Sequence, residues 1–288
     1  MRRIATAFLA GLLAPARRAP LSAGLIVFLV LLLTAVTQIG GVVLLLCIPA
    51  FTWAGRRLAE RTSLIRVGAY IGVYACAYLA VSLAAIPLAG ALGRAPLPCG
   101  IAGEVTLAPR TFLTCLLNRH YSTLPARQAL HKINNEFSAE FRGLRVAYLD
   151  AGFPFFDWFP MMPHLSHGDG RKIDLALIYP DGSETPSPIG YWGFAQPREG
   201  DPQPCAARAG LLRWNMTWLQ PLLPGKELDA RHTAALVQAL AHSPAVSRIF
   251  LEPHLRRRLG LDHPKIRFQG CVAARHDDHI HVEFAADQ

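Results

Sequence analysis

The last residues of the chain hold the densest group of side chains that could do chemistry. Three histidines fall within six positions of the run His276-Asp277-Asp278-His279-Ile280-His281-Val282-Glu283-Phe284. Side chains alternate along a strand, so Ile280 and Val282 would point to one face and the histidines at 279 and 281 to the other. Two neighbouring imidazoles above an apolar strand favour a metal site, because imidazole is a common metal ligand.

A second group of candidate ligands lies upstream, in Pro163-His164-Leu165-Ser166-His167-Gly168-Asp169-Gly170-Arg171-Lys172-Ile173-Asp174-Leu175. Six residues separate His167 from Asp174, and a glycine-containing turn leads into a predicted strand over Lys172–Tyr179. On this strand Asp174 would face away from the apolar side chains. Two histidines and one aspartate make three protein ligands, and three ligands plus a water molecule are typical of a catalytic zinc.

Other polar residues near these segments or elsewhere in the chain have a simpler interpretation. Asp277 and Asp278 could orient imidazoles as hydrogen-bond acceptors, but their turn propensity favours exposed turn residues. Six further histidines stand alone in the sequence, and we interpret them as ordinary polar residues: His120, His131, His232, His242, His254 and His263.

At its two histidine-rich segments the chain resembles the LAS metallopeptidases, and within them the penicillin-insensitive murein endopeptidases. The resemblance rests on Ser166-His167 followed after six residues by Asp174, paired with a terminal His-x-x-His-x-His-Val. The strand and short helix expected over Val246–Leu255 also precede the second motif in that family. In total the resemblance covers about residues 140–288.

The resemblance implies one zinc ion per chain, held by His167, Asp174 and His281. It also implies that His279 or His276 acts on the attacking water and the transition state, and that His164 supports the ligands or contacts substrate. The reaction would be hydrolysis of peptide cross-links in peptidoglycan. A D,D-carboxypeptidase of the same superfamily and a non-catalytic zinc-containing wall-binding or scaffold protein are the alternatives. Adjacent histidines beside only three ligands favour an enzyme, because structural zinc ordinarily has four protein ligands.

The N-terminal third consists mainly of two long apolar runs. The first, over Leu21–Ala54, would be about 51 Å long as one helix, against a hydrocarbon core of about 30 Å. It is interrupted by Thr37-Gln38-Ile39-Gly40-Gly41, which suits a tight turn. We therefore predict membrane spans at about 20–37, 41–55 and 67–92, with one long tilted helix as the alternative for the first run.

Arginines on both sides of the first run predict the topology. Arg2, Arg3, Arg17 and Arg18 precede it, and Arg56, Arg57, Arg61 and Arg66 follow it. Both groups belong in the cytoplasm by the positive-inside rule, so an even number of crossings must separate them. The third span then carries the chain outward. We predict a membrane anchor over residues 1–96 in the lipid bilayer of the bacterial inner membrane, and a peptidase-like domain over 97–288 on its periplasmic or outer side.

The basic charge of the chain follows the same division. Nine of the 29 lysines and arginines and one of the 20 acidic residues precede residue 97, so the rest of the chain is near neutral at 20 basic and 19 acidic residues. The net charge of +9 therefore reflects membrane topology. This charge does not indicate a basic surface for nucleic acid, and we expect no nucleic-acid partner.

The C-terminal domain is predicted to have an α+β fold, with a small antiparallel sheet and flanking helices. One helix would begin within Ser122-Thr123-Leu124-Pro125, at a hydroxyl cap with proline in the first turn, and end near Phe141. A strand would cover Leu144–Leu149, and a second helix would cover Asp229–Ala241 with Asp229 as its cap. The aromatic loop Gly152–Pro163 is expected to be either local core or a groove wall. Four cysteines predict two disulfides in any of three connectivities: Cys99, Cys115, Cys205 and Cys271.

Overall fold

The computed structural model describes residues 20–100, 106–162, 164–180, 187–205, 221–223 and 226–286. The arginines before residue 19 and part of the stretch from 190 to 223 lie outside these described residues. Three helices come first, α1 (Pro20–Thr37), α2 (Gly40–Arg57) and α3 (Ser63–Ala91). A mixed α and β domain follows them.

The first apolar run forms two helices joined by a short turn. Gln38 in this turn has φ 67°, and the hydroxyl of Thr37 accepts a hydrogen bond from Gly40 N at 2.8 Å. A Cβ atom at Gly41 would overlap with Thr34 and with the Val30 carbonyl of α1, so glycine lets the two helices approach closely. Among the described helices, α3 alone is long and apolar enough to cross a membrane, whereas Ala23–Thr37 is a shorter apolar segment. The three spans remain a prediction.

The C-terminal domain is built on a six-stranded sheet rather than on a small antiparallel one. Its strand order is β2 (Leu107–Pro109), β4 (Val146–Tyr148), β5 (Lys172–Ala176), β8 (His279–Phe284), β6 (Val246–Phe250) and β7 (Ile266–Arg267). The pairs β2–β4 and β6–β7 are parallel, and the central pairs are antiparallel. Each parallel pair is joined through helices, because a parallel connection must cross over the sheet. Two further strands, β1 (Arg94–Pro96) and β3 (Tyr121–Thr123), form a separate antiparallel pair.

Two long helices, α5 (Leu124–Glu140) and α6 (Ala230–His242), pack their apolar faces into the core cluster of the sheet. Both begin where the sequence predicts, since Thr123 Oγ1 accepts from Ala126 N and an Asp229 carboxylate oxygen accepts from His232 N. Two shorter helices, α4 (Leu113–Leu116) and α7 (Pro253–Arg258), complete the domain.

Strand β5 ends at Ala176, three residues before the predicted end. Beyond it, Ile178 N donates to Thr233 Oγ1 at 3.2 Å, and Ile178 O accepts from Asp229 N at 3.0 Å. The start of α6 therefore uses the backbone groups that a longer strand would need.

Both predicted disulfides are present, and they select one of the three connectivities. Cys99 pairs with Cys115, and Cys205 pairs with Cys271. The cysteines of the helical region, Cys47 and Cys76, are free.

Candidate metal centre

The pairing of β5 with β8 places the two histidine-rich segments side by side. Asp174 lies directly opposite His281, and Ala176 lies opposite His279. Residues opposite each other in an antiparallel pair point to the same face. The carboxylate and both imidazoles therefore share one face of the sheet, while Ile280 and Val282 face the core as predicted.

The first segment brings His167 to the same place through a short 3-10 helix over Leu165–Asp169. Its Nδ1 donates to the Ala151 carbonyl at 2.7 Å, and its Nε2 lies 3.2 Å from Asp174 Oδ1. The helix ends at Gly170, whose φ of 66° favours glycine. A Cβ atom there would overlap with the Arg94 guanidinium, so this turn also needs the space that glycine leaves.

Asp174 is the centre of the cluster. Its Oδ1 lies 2.8 Å from His281 Nδ1 and 3.7 Å from His279 Nε2, and its Oδ2 lies 3.2 Å from His164 Nδ1. The side chains of two triplets could each hold a metal ion, with potential ligand atoms within 4.8 Å of one another: His164, His167 and Asp174, and His276, His279 and His281.

One buried imidazole nitrogen in this cluster, His281 Nε2, has no hydrogen-bond partner among the described residues, whereas His164 Nδ1 and His167 Nε2 each lie 3.2 Å from an Asp174 oxygen. Buried polar atoms without partners are uncommon in folded proteins, and a bound ion is one explanation for them. Tetrahedral ligands about 2.1 Å from a metal lie roughly 3.4 Å apart. The 3.2 Å from Asp174 Oδ1 to His167 Nε2 is close to that value, whereas the 2.8 Å from Asp174 Oδ1 to His281 Nδ1 is a hydrogen-bond distance. The centre can therefore hold a metal ion.

The ionisable side chains of the cluster shift one another's pKa values. Burial opposes ionisation of Asp174, but His167, His279 and His281 outweigh it and hold the pKa of this carboxyl well below its usual value. Burial and the nearby His279 and His281 hold the pKa of His276 well below its usual value. Burial also disfavours protonation of His279, yet Asp174 and Asp278 raise its pKa to about 9. His279 is thus the imidazole of this strand most inclined to carry a proton.

Asp277 and Asp278 are buried, so their interpretation as exposed turn residues is wrong. Asp278 Oδ1 lies 2.5 Å from His279 Nδ1, and its Oδ2 accepts from Trp192 N at 2.7 Å. Asp277 pairs with Arg275, and its carbonyl accepts from Ala195 N. The backbone around residues 192–195 covers these aspartates, and a local turn pattern carries no information about such a distant segment.

Sequence reasoning missed two residues beside Asp174. Tyr191 donates its hydroxyl to Asp174 Oδ2 at 2.8 Å and lies 3.2 Å from Asp150 Oδ2. Burial and these two carboxylates raise the pKa of Tyr191 well above its usual value, so the phenol stays protonated. Asp150 in turn forms an ion pair with Arg119 at 2.7 Å. Asp150 directly follows the predicted strand, which is a signal that could have revealed it, whereas no pattern marks Tyr191.

A cavity of about 250 Å³ opens beside the centre. Side chains of the centre line one part of it: Asp150, His164, Tyr191, Asp278 and His279. Apolar and cationic residues line the rest, including Leu113, Ile189, Phe194, Arg119 and Arg275. The cavity gives a small molecule or a peptide end access to His279.

None of the described residues of the aromatic loop Gly152–Pro163 lines this cavity, so the groove-wall interpretation of the loop is wrong there. Phe153 and Met161 are buried, as the local-core alternative expects, but Phe156 and Trp158 are exposed. Pro163 lies outside the described residues.

The six candidate residues fall into two triplets, so the predicted ligand set is divided between them, and Asp174 of the first triplet contacts two histidines of the second: His164, His167 and Asp174, and His276, His279 and His281. His276 lies just before β8, with its ring centre 5.0 Å from that of His279, and it does not line the cavity. Several of the other histidines have ordinary polar contacts, such as His254 Nε2 with the Ala195 carbonyl and His232 with Asp229.

No family model matches the chain, and no curated protein matches it. The geometry of the cluster is therefore the principal evidence about function.

Proposed function

We propose that this protein is a membrane-anchored, zinc-dependent peptidase that hydrolyses the peptide cross-links of peptidoglycan. The observation that carries the proposal is that Asp174 Oδ1 contacts both His167 and His281 in a buried cluster whose His164 and His279 side chains line a cavity. The partnerless Nε2 of the His281 imidazole supports a role for this residue as a metal ligand.

The residues that would hold zinc are His167, Asp174 and His281. Both histidines contact the same carboxylate oxygen, Oδ1 of Asp174. Two imidazoles and a carboxylate suit zinc, and three protein ligands leave a position for water. When bound, zinc lowers the pKa of that water and polarises a substrate carbonyl.

The surrounding residues have roles of their own. His279 faces the cavity, and Asp278 holds its Nδ1, which leaves Nε2 to take up or give a proton during peptide hydrolysis. Tyr191 binds Asp174 Oδ2 and so fixes the orientation of that carboxylate. His164 lies between the Asp150 and Asp174 carboxylates on the cavity wall, where it can support Asp174 or meet substrate.

The proposed location is the bacterial inner membrane, with the metal centre on its periplasmic or outer side. The length and apolar composition of α3 support anchoring. Two disulfides suit an oxidising compartment. A periplasm-active reporter fused after Gly100 should give signal, whereas the same fusion after Arg61 should give none. The reverse result would contradict this topology.

The decisive experiment is digestion of purified, cross-linked wall dimers by the full-length protein, with products resolved by mass. We expect the dimers to become monomers, unaffected by penicillin, because no serine is acylated. Release of terminal D-alanine from dimers that persist would instead favour the D,D-carboxypeptidase. Unchanged dimers with zinc bound would favour the non-catalytic wall-binding protein. The variant His279→Ala serves as the control for contaminating hydrolases.

A further inference from the structure

The N-terminal helices contact the metal-bearing domain at the turn between α1 and α2. Gln38 Nε2 donates to the Phe155 carbonyl at 2.6 Å, and Gln38 Oε1 accepts from Phe155 N at 2.8 Å. One side-chain amide thus satisfies both backbone groups of a residue in the aromatic loop. The Phe155 ring also packs against the helical cluster that contains Ile39 and Tyr78. This turn therefore holds the aromatic loop in place.

A second contact between the helices and the C-terminal domain is made by α3, beside the turn between α1 and α2. Tyr78 of α3 donates its hydroxyl to the Leu116 carbonyl at 2.8 Å and accepts from Asn118 Nδ2 at 2.8 Å. One helical turn earlier, the Tyr74 hydroxyl donates to the Gly40 carbonyl at 3.3 Å. Helices α1 and α2 have 18 residues each, so they are about 27 Å long, close to the roughly 30 Å of a hydrocarbon core. If they span the bilayer, their turn and these contacts lie at its outer surface, and the third span then runs from about Ser63 to Tyr78 instead of over 67–92.

Directly after Phe155, two aromatic side chains point into the surroundings. Phe156 is 72% exposed and Trp158 is 82% exposed, and both have positive φ, 48° and 67°. Positive φ is uncommon for such bulky residues, so the surrounding structure must impose it. Met162 and Leu165, a few residues further along the chain, are also exposed apolar side chains. The charged residue among them, Asp157, pairs with the buried Arg94.

We propose that Phe156, Trp158, Met162 and Leu165 form a lipid-binding patch that inserts into the outer headgroup region of the bilayer. Tryptophan is enriched at that depth, where an apolar ring with one polar group is stable. The patch also adjoins the outer end of the helical hairpin through Phe155. This inference rests on the membrane anchoring in the proposed function.

The patch would fix the metal centre at the membrane surface. Leu165 begins the 3-10 helix that carries His167, and Trp158 N donates to the Gly168 carbonyl at 3.1 Å in that helix. Arg94, three residues beyond α3, donates to the same carbonyl. The peptidase would therefore act on wall peptides that lie directly beside the bilayer.

Tryptophan fluorescence of the full-length protein in lipid nanodiscs with brominated acyl chains tests the patch. The Trp158 signal is obtained as the difference between the wild-type protein and Trp158→Phe. We expect bromines near the headgroups to quench this signal at least twofold more than bromines near the chain ends, and aqueous acrylamide to quench it weakly. Trp53, exposed on α2, provides the lipid-facing reference through Trp53→Phe, and Trp192 on the cavity provides the reference away from lipid.

Two results would overturn the inference, and they differ in what they mean for the proposed function. If bromines quench the Trp53 signal but acrylamide alone quenches Trp158, the protein is anchored and the patch does not bind lipid. If bromines quench neither signal, the anchoring fails together with the patch. Neither readout depends on hydrolysis, so the peptidase proposal is judged separately by the wall-dimer digestion.

Discussion

The two faces of the β5–β8 strand pair are equally buried, but one carries apolar side chains and the other carries ionisable ones. On one face, Ile173, Leu175, Ile280 and Val282 are fully buried in the core cluster. On the other, Asp174, His279 and His281 are buried to the same degree. An apolar side chain contributes about 1.5–3 kcal/mol on burial, whereas a buried polar group costs free energy unless it is paired. A one-residue slip would exchange the faces, so the apolar face fixes the register that assembles the centre.

The largest effect is expected from removing the carboxylate at the middle of the polar face. Asp174→Ala should abolish zinc binding and reduce turnover of wall dimers below detection, because Asp174 Oδ1 lies within 3.7 Å of three imidazole nitrogens. The metal content of the purified protein, measured by mass spectrometry, checks this. His167→Ala and His281→Ala should lose zinc in the same way.

Glu283→Ala is the matched control for Asp174→Ala. Glu283 is a carboxylate on the same face of β8, two residues beyond His281, and it pairs with the half-exposed Arg248. This variant should keep its zinc and its turnover. Full zinc retention in Asp174→Ala would show that the ligand assignment is wrong.

The second-largest effect is expected from a variant that tests proton transfer on the polar face without removing the metal. His279→Ala should keep the zinc, because His279 is not among the proposed ligands, and should lose turnover by roughly 10² or more. Paired measurements of metal content and dimer hydrolysis check this. Loss of zinc in His279→Ala would move His279 into the ligand set and leave His276 as the remaining candidate for acid–base work.

The two faces also show which features of the structure a sequence can reveal. The alternation of β8, the hydroxyl cap expected at Ser122-Thr123 and the Asp229 cap depend on neighbouring residues, and those predictions match the structure. The outer strands β2 and β7 have three and two residues, too few for a period, so the mixed character of the sheet was missed.

The polar surroundings of the centre were harder to predict, since they depend on contacts between distant segments. Tyr191 binds Asp174, which is 17 residues away in the sequence, and Trp192 N donates to Asp278, which is 86 residues away. The segment that carries both aromatic residues has no periodic pattern. The meeting of the two histidine-rich segments could therefore be predicted, while the residues that hold their side chains in place could not.

A smaller effect is expected from Asp278, which we assign as a positioning residue for His279. Asp278→Asn removes the negative charge 2.5 Å from His279 Nδ1 and should lower kcat about tenfold with KM unchanged. A purely structural role would not separate kcat from KM in this way. Steady-state kinetics on wall dimers check the result, with the exposed Asp262→Asn as control. A kcat within twofold of the wild-type value would contradict the assignment.

The smallest effect on turnover is expected from the apolar face, where Ile280→Ala tests whether the two faces are independent. Ile280 is 0% exposed, so its truncation should lower the free energy of unfolding by about 2–5 kcal/mol. Denaturant titration in detergent measures that loss, and Val272→Ala, at a position 73% exposed, should stay within about 0.5 kcal/mol of the wild type. Zinc per folded chain and kcat per zinc should not change, because Ile280 contacts the core and not the centre. A fall in kcat per zinc as large as that of His279→Ala would show that packing beneath the strand also sets the geometry above it.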